Sequence, residues 1–449
     1  MPETDIKTGG ISSSKLAKPG DIVIEEITIR SYTGFTMNVK TQLLSLVIYE
    51  DIHNNCLTGQ LILNDTIAMQ KHFPLVGNEE VTIRFFLPGD SSGNRPVEIK
   101  FRTFNVSAQT KTATSNARCI VIEMTSKEIV KGSTNRFSKA YNRMTYSDMV
   151  QKIMSEQVFE KDDNNSVIEV EPTFGVKDVV IPYWNPFYAI NWMAQKSMSK
   201  SDFYRCDYML YQTMDGFYHF KSISSMKDLP VVAKYTHIPG GNRMQSGEMP
   251  TEQYLRNIHS FNVVASTNRM DSIANGVYAS TVITFDTTTK RYQRNFYNYS
   301  KNFGKESAIS EYPTISLNNE DVTSFVNSRI KMYPKHSYQF DGNRFPDNPE
   351  AYVLKRQAQL NRMDTQKLRL EVPGDSRIHV GDIIEVEIPA FEETKNKEEW
   401  RDTQLSGKYM IMAIKHMLIE DNYSMEMIVA KDSLDYQLPD SKNESLKAL

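Results

Sequence analysis

The sequence predicts a mainly β protein, α+β overall, with two homologous β barrels and two smaller inserted α/β modules. Three observations lead there. Short runs rich in β-branched residues, each bounded by Gly, Asn, Asp or Pro, fill residues 22–130 and return after 253. Helical periodicity with start signals is confined to interior stretches. The pattern of the first β region also recurs, in order, in the second. A chain of 449 residues that is 40% hydrophobic and 24% charged has material for several cores.

The first strands are read in DIVIEEITIR and MNVKTQLLSLVIYED, then in LTGQLILND, EEVTIRFFLPGD, PVEIKFRTFNVSAQT and NARCIVIEMTSKEIV. Six such runs in about 110 residues fit a compact barrel or sandwich. The pattern then turns helical in NRMTYSDMVQKIMSEQVFE. Thr145 is placed to cap, Asp148 follows as a capping-box variant, and Met149, Val150, Ile153, Met154 and Val158 share one face. In WNPFYAINWMAQKS, Asn185 is the cap and Pro186 the first helical residue. YMLYQTMDGFYHF then reads as a hairpin in which Asp215-Gly216 favours a type I′ turn.

Strands return in YLRNIHSFNVVAST and ANGVYASTVITFDTTTK. Between them and the last strands lie a Tyr-rich segment, a candidate helix in EDVTSFVNSRIKM, and a second helix capped by Asn348 before Pro349. The stretch QKLRLEVPGDSRIHVGDIIEVEIP supplies two strands and two Gly corners, and KYMIMAIKHMLIEDNYSMEMIVAKDSL two long strands more. The expected division is an arm over 1–20, a first barrel over 21–135, an α+β domain over 136–228, and a second barrel from 229–287 with 366–437. An inserted mixed domain takes 288–365 and a polar tail 438–449.

The repeat is read from corners and strands. LVGNEEVTIRFFLP parallels HVGDIIEVEIP, with Gly77 and Gly381 at the corner and Pro88 and Pro389 at the end; glycine there suits a positive φ or a close approach. The two strands after each corner also correspond. Upstream, the run through Gly59 to Asp65 is matched with the run through Gly276 to Asp286. That match places an insertion of about 80 residues after Asp286, long enough to carry its own structure. Two similar barrels per chain let three chains form a ring that is sixfold in shape and threefold in symmetry.

Composition excludes some functions. With 52 basic and 55 acidic residues the formal net charge is -3, without the basic excess of a phosphate-gripping protein. Cys56, Cys119 and Cys206 are scattered and give no disulfide framework. No apolar window approaches the length of a membrane span. Neither G-x-x-x-x-G-K-[ST] nor G-x-G-x-x-G occurs.

Candidate chemistry is weighed against packing. Glu426 and Asp435 have a muramidase-like separation, yet Glu426 falls in a strand and reads as a solvated strand-face charge. His53 and Cys56 form one close pair with no second pair at finger spacing. His219, His259 and His416 read as strand residues. Tyr183, Trp184, Phe187, Tyr188 and Trp192 read as a core anchoring a helix to the DGFYHF hairpin, with a sugar or base platform as the alternative. The Tyr292–Tyr299 segment carries exposed-type Tyr with Arg, as interface anchors do. No catalytic, cofactor or metal residue is assigned.

In order and spacing, WNPFYAINWMAQKS with YMLYQTMDGFYHF, NGVYASTVITFDTTTKRY, LRLEVPGDSRIHVGDIIEVEIP and LSGKYMIMAIKHMLIEDNYSMEMIVAKDSL resemble the central baseplate hub protein of contractile-tailed phages of the T-even type. The arm before Asp21 and the loop FEETKNKEEWRDTQ depart from that family. The resemblance implies a structural virion protein with no enzymatic activity and no cofactor. It implies a homotrimer forming a pseudo-sixfold ring between a sixfold tail tube, or its initiator, and a threefold central spike or spike-lysozyme. Surrounding wedge proteins, DNA passing through the lumen, no membrane insertion and assembly in the host cytoplasm complete that picture. The competing expectations are a tail-associated peptidoglycan hydrolase or cell-wall-binding module, and a hub or spike component of a related contractile injection system.

Overall fold

The computed structural model describes residues 22–66, 73, 75–86, 97–111, 118–160, 167–238, 255–266, 268–287, 289–315, 323–335, 347–390, 401–419 and 422–437. The expected arm and tail, and most of the FEETKNKEEWRDTQ loop, lie outside them. Among the described residues no helix is long and apolar enough to cross a membrane.

The first seven strands are β1 (Val23–Arg30), β2 (Thr36–Asn38), β3 (Leu43–Asp51), β4 (Thr58–Asp65), β5 (Glu80–Phe86), β6 (Val97–Lys111) and β7 (Arg118–Ser126). Alternation makes them strands: β5 buries Val81, Ile83 and Phe85, and β4 buries Leu61 and Leu63. After α1 (Glu128–Thr134) comes a module of β8 (Phe137–Met144), α2 (Tyr146–Ile153), β9 (Ile168–Val170), β10 (Lys177–Trp184), α3 (Pro186–Lys196), β11 (Tyr208–Gln212), β12 (Tyr218–Ser222) and α4 (Ile223–Met226). Its helix starts follow the sequence signals. Thr145 Oγ1 accepts from the Asp148 amide and Asn185 Oδ1 from the Tyr188 amide, each satisfying an amide that the first turn leaves open.

The chain continues through β13 (Val231–Thr236), β14 (Ser260–Ala265), α5 (Arg269–Ala274), β15 (Ala279–Asp286), β16 (Arg291–Asn298), α6 (Tyr299–Asn302), β17 (Tyr312–Pro313), β18 (Ile330–Lys335) and α7 (Pro349–Met363). It ends with β19 (Gln366–Pro373), β20 (Ile383–Glu387), β21 (Gly407–Ile419), β22 (Asn422–Lys431) and β23 (Ser433–Leu434).

The main sheet holds two sets of six strands with one pairing order. The first runs β3-β4-β7-β6-β5-β1, and the second β14-β19-β22-β21-β20-β13. Within each set the strands also occur in the same chain order. One difference is that β1 runs antiparallel to β5 whereas β13 runs parallel to β20. The sets join where β3 pairs with β21, and their apolar faces merge into one core; the Phe85 and Tyr423 rings, one from each set, meet edge-on at 6.3 Å. Separate cores serve the 136–228 module and the insertion around β15.

Five expectations change. First, Ala279–Asp286 does not join the second set; β15 pairs with β16 and β18 in its own sheet. A hairpin to the adjacent segment closes at far lower entropy than a pairing across the chain, and β19 takes the place matching β4. Second, the insertion therefore enters between the counterparts of β3 and β4, not after that of Asp65. Third, of the helix expected in EDVTSFVNSRIKM only Thr323 and Ser324 are helical among the described residues, and from Ile330 parallel pairing with β15 overrides local propensity. Fourth, at the hairpin Gly216 has φ +87° while Asp215 has none of the positive φ that a type I′ turn needs. The Thr213 amide bonds the Phe217 carbonyl, as in a longer loop closed by a left-handed Gly. Fifth, α7 begins at Pro349 without a side-chain cap from Asn348.

The corner glycines hold φ +89° at Gly77 and +92° at Gly381. A Cβ at Gly77 would meet nothing closer than 3.6 Å, but at Gly381 it would stand 2.6 Å from Met226 Sδ. Gly77→Ala is expected to cost about 1–3 kcal/mol from backbone strain alone. Gly381→Ala is expected to cost about 1–3 kcal/mol more by overpacking. Denaturant midpoints of the two variants check the order; equal losses would contradict it.

Candidate functional site: joints and exposed faces

The joint between the strand sets carries a buried charge. Glu50, on β3, is fully buried. Its Oε1 accepts from the Met214 amide at 2.6 Å and its Oε2 from the Val380 amide at 3.2 Å. His379 Nδ1 lies 3.2 Å from Oε1, and His416 Nε2 lies 3.5 Å away, an ion-pair contact longer than a good hydrogen bond. His416 is oriented by Tyr423, whose hydroxyl is 2.8 Å from Nδ1. Burial pushes the Glu50 carboxyl up, but the hydrogen bonds and charges of the two imidazoles win and hold it at about 2. Burial likewise pulls His379 down, and the Glu50 carboxylate overrides this and raises it to about 9. One carboxylate thus ties together β3, β21, the corner before Gly381 and the β11–β12 hairpin.

A second node lies at the far end of β22. Lys227 Nζ reaches Asp432 Oδ2 at 2.8 Å with both side chains buried, and Arg362 Nε is 4.0 Å from the same oxygen. Arg362 also pairs with Glu306 at 2.7 Å, and Glu306 accepts from the Tyr297 hydroxyl at 3.1 and 3.0 Å. Burial raises the Asp432 carboxyl, while Lys227 and Arg362 bring it down to about 2. Along α7, Arg356 donates to the carbonyls of Ala194, Cys206 and Tyr208. These contacts bind the insertion to the 136–228 module and to the second strand set.

The residues weighed from sequence disperse. Glu426 stands on β22 between Arg369, 3.1 Å away, and Lys415 at 3.6 Å, a strand-face ion pair. His53 is exposed whereas Cys56 is buried, its thiol 3.4 Å from the Tyr218 hydroxyl and pushed up to about 12 by burial; the pair does not converge. His219 stacks on Tyr211 and contacts Glu169 at 3.2 Å, while His259 is exposed just before β14. The aromatic cluster divides. Phe187 is buried over Gly132, where any Cβ would overlap its ring. Trp184 and Trp192 pack at 5.6 Å, and Tyr183 and Tyr188 face solvent. No signal in the sequence singled out Glu50, His379 or Arg362, because each lies in an ordinary strand, corner or helix and gains its partners only through long-range packing.

Two surfaces stand open. On the β16-β15-β18 sheet one face packs Val282 and Tyr297 against Leu354 and Ala358 of α7. The other exposes Phe285, Tyr292, Phe296, Ile330 and Met332. The Tyr292–Tyr299 segment is thus split by alternation, with Tyr292 out and Tyr297 and Tyr299 in. Beside β14 lies a cleft of about 740 Å³ whose charged lining is Arg269 and Lys367. Among the described residues that line it there is no carboxylate.

No family model matches the chain, and no curated protein matches its sequence. Among solved structures it is similar to the tail protein from Neisseria meningitidis MC58, at 14% identity and a TM-score of 0.52, covering 92% of this chain and 99% of that one. The 43 kDa tail protein of prophage MuSo2 from Shewanella oneidensis follows at 8% identity and 0.48, with 92% and 99% covered. An Escherichia coli component of the type VI secretion system, described as structurally similar to T4 bacteriophage tail proteins, gives 8% and 0.41, with 94% and 79% covered. The structural neighbours are phage tail and baseplate proteins, as the sequence resemblance led one to expect, and the first of them establishes the fold: the chain is folded as that tail protein is.

Breaking the Glu50 node is expected to be expensive. Glu50→Ala, which strands the charge of His379, should lose about 3–5 kcal/mol. The pH dependence has a definite sign. His379 is raised from 6.5 to about 9, so its contribution is complete below 6.5 and lost as pH rises through about 9. Glu50 is lowered from 4.5 to about 2, so its contribution is present above 4.5 and lost as pH falls through about 2. The stability gap between wild type and His379→Gln should therefore close as the solution is taken from mildly acid to alkaline. Denaturation series at matched ionic strength check this, and a constant gap would refute the assignment.

Proposed function

We propose that the chain is a structural component of a contractile tail baseplate, its central hub, acting as a homotrimer. The observation that carries this reading is the duplication: two six-strand sets of one pairing order and one chain order, joined edge to edge by β3 and β21. Three chains then present six similar sets, the geometry needed to meet a sixfold tail tube or its initiator on one side and a threefold spike or spike-lysozyme on the other. The fold shared with a tail protein supports the same context. In this role each set is a tube-like barrel, wedge proteins surround the ring, and DNA passes through the lumen. The working environment is the virion, after assembly in the host cytoplasm.

The role is mechanical and not enzymatic. The buried ionisable groups Glu50 with His379, and Asp432 with Lys227 and Arg362, are tie points between modules and not groups converging on a cleft. The exposed apolar face of the β16-β15-β18 sheet is a docking face for neighbouring baseplate subunits.

The direct test is the native mass of the purified chain. Three copies of a 51.6 kDa chain give about 155 kDa (3 × 51.6). A chain that stays monomeric at every concentration, alone and with its spike, would overturn the ring. Cell-wall substrate is expected to be left intact in a turnover assay.

A further inference from the structure

The geometry points to a strand joint between copies. The open edge of β14 pairs antiparallel with the unpaired part of β6 in the next chain, repeating between subunits the β3·β21 joint made within one. This rests on the trimer reading and adds the surface that builds it.

The correspondence between the sets fixes which strands are involved. β6 bulges between Thr103 and Asn105 against β7, and β21 bulges between Ile411 and Ala413 against β22. The bulge residues Phe104 and Met412 are therefore counterparts. One edge of β21 holds β20 along Gly407–Met410 and then β3 along Ala413–Leu418. The matching edge of β6 holds β5 along Val97–Arg102, and among the described residues no strand follows. The strand corresponding to β3 is β14, since Leu46 and Ile48 lie opposite Leu61 and Gly59 as Phe261 and Val263 lie opposite Leu370 and Leu368. β14 pairs with β19 on one edge and, among the described residues, with nothing on the other.

Burial records the missing partner. Met412 is 4% exposed where the joint exists, and Phe104 is 55% exposed where it does not. Ile48 is 0% exposed, and its counterpart Val263 is 47%. β14 reads SFNVVA, a β-branched edge with no charge, no proline and, among the described residues, no strand paired to it. Proteins normally blunt such an edge unless something pairs with it.

The register follows. Within the chain Leu46, Val47 and Ile48 face Leu418, Met417 and His416. β6 bulges a second time, between Val106 and Ala108. Matched through their partners on β7 and β22, Lys111, Thr110 and Gln109 stand where Leu418, Met417 and His416 do, and Phe261, Asn262 and Val263 face them in the next copy. The Ile52 amide donates to the Met412 carbonyl, so with period two the Ile48 amide points to β21 and the Val263 amide to the open edge. β14 bulges between Val263 and Ala265, so the position matching Glu50 is Ser266. The joint between copies therefore lacks the carboxylate that Glu50 brings to the joint within a chain.

Two variants test it in the full chain. Val263→Pro removes the outward amide at an edge position where proline is tolerated. Sedimentation should show loss of the three-chain species, with an unchanged far-ultraviolet circular dichroism spectrum showing that the fold is intact. Independently, Asn262→Cys with Thr110→Cys should crosslink copies into covalent trimers on oxidation, released by reductant. This is done in a Cys119→Ser background, because Cys119 lies opposite Thr110 across β7. A trimer that persists in Val263→Pro and yields no crosslink would overturn the strand joint while leaving the trimer standing. A wild-type chain that never exceeds one copy would overturn the trimer itself.

Discussion

The buried carboxylate of Glu50 is the constraint on which the rest of the architecture depends. A lone carboxylate in a protein interior is costly enough that it ordinarily takes up a proton. Here it stays ionised because two backbone amides and two imidazoles converge on it from three separate segments. No one segment satisfies it alone. The first strand set, the second set and the β11–β12 hairpin must all be in place before the charge is paid for. The node therefore acts as a check on relative placement, which β-sheet hydrogen bonding, tolerant of two-residue slips, does not supply by itself.

Asp432 performs the same office at the other end of the second set. Its partners come from the 136–228 module, through Lys227, and from the insertion, through Arg362 and the Ile309 amide. Two points of attachment, at different places on the second set, hold the modules against it more firmly than either could alone. Ion pairs of this kind contribute little net stability over an apolar replacement, and their clearest physical effect is to penalise wrong arrangements. In the proposed hub role that penalty keeps the modules in one arrangement.

Local features were legible in the sequence. The corners at Gly77 and Gly381 were recognisable because a positive φ restricts the residue choice, and the starts of α2 and α3 because a cap and an N1 proline leave a written signature. The last two strands of each set were matched correctly by alternation. The insertion point was not, because the run through Gly276 to Asp286 has the alternation of a barrel strand and lies in another sheet. Alternation says that a face is buried without saying against what. Glu50 and His379 were out of reach for a similar reason, as was the partner of His416: their separations in sequence are large, and a charge such as Glu50 in a strand usually faces water. The open edge of β14 was invisible too, since an edge is defined only by which neighbour is absent.

Duplication also explains why the two joints differ chemically. Within a chain the joint forms once, during folding, and a buried ionic lock adds specificity at no kinetic cost to assembly. Between chains the same strand geometry must be found by diffusion, and a carboxylate waiting half-desolvated on an open edge would oppose both the free subunit and the encounter. Ser266 at the place of Glu50 removes that obstacle and leaves backbone pairing and the apolar surface of Phe104 and Val263 to supply the attraction. A repeat with identical joints would have to choose between a rigid chain and an assembly-competent edge. Divergence of the second copy at this one position, with the strand order kept, permits both.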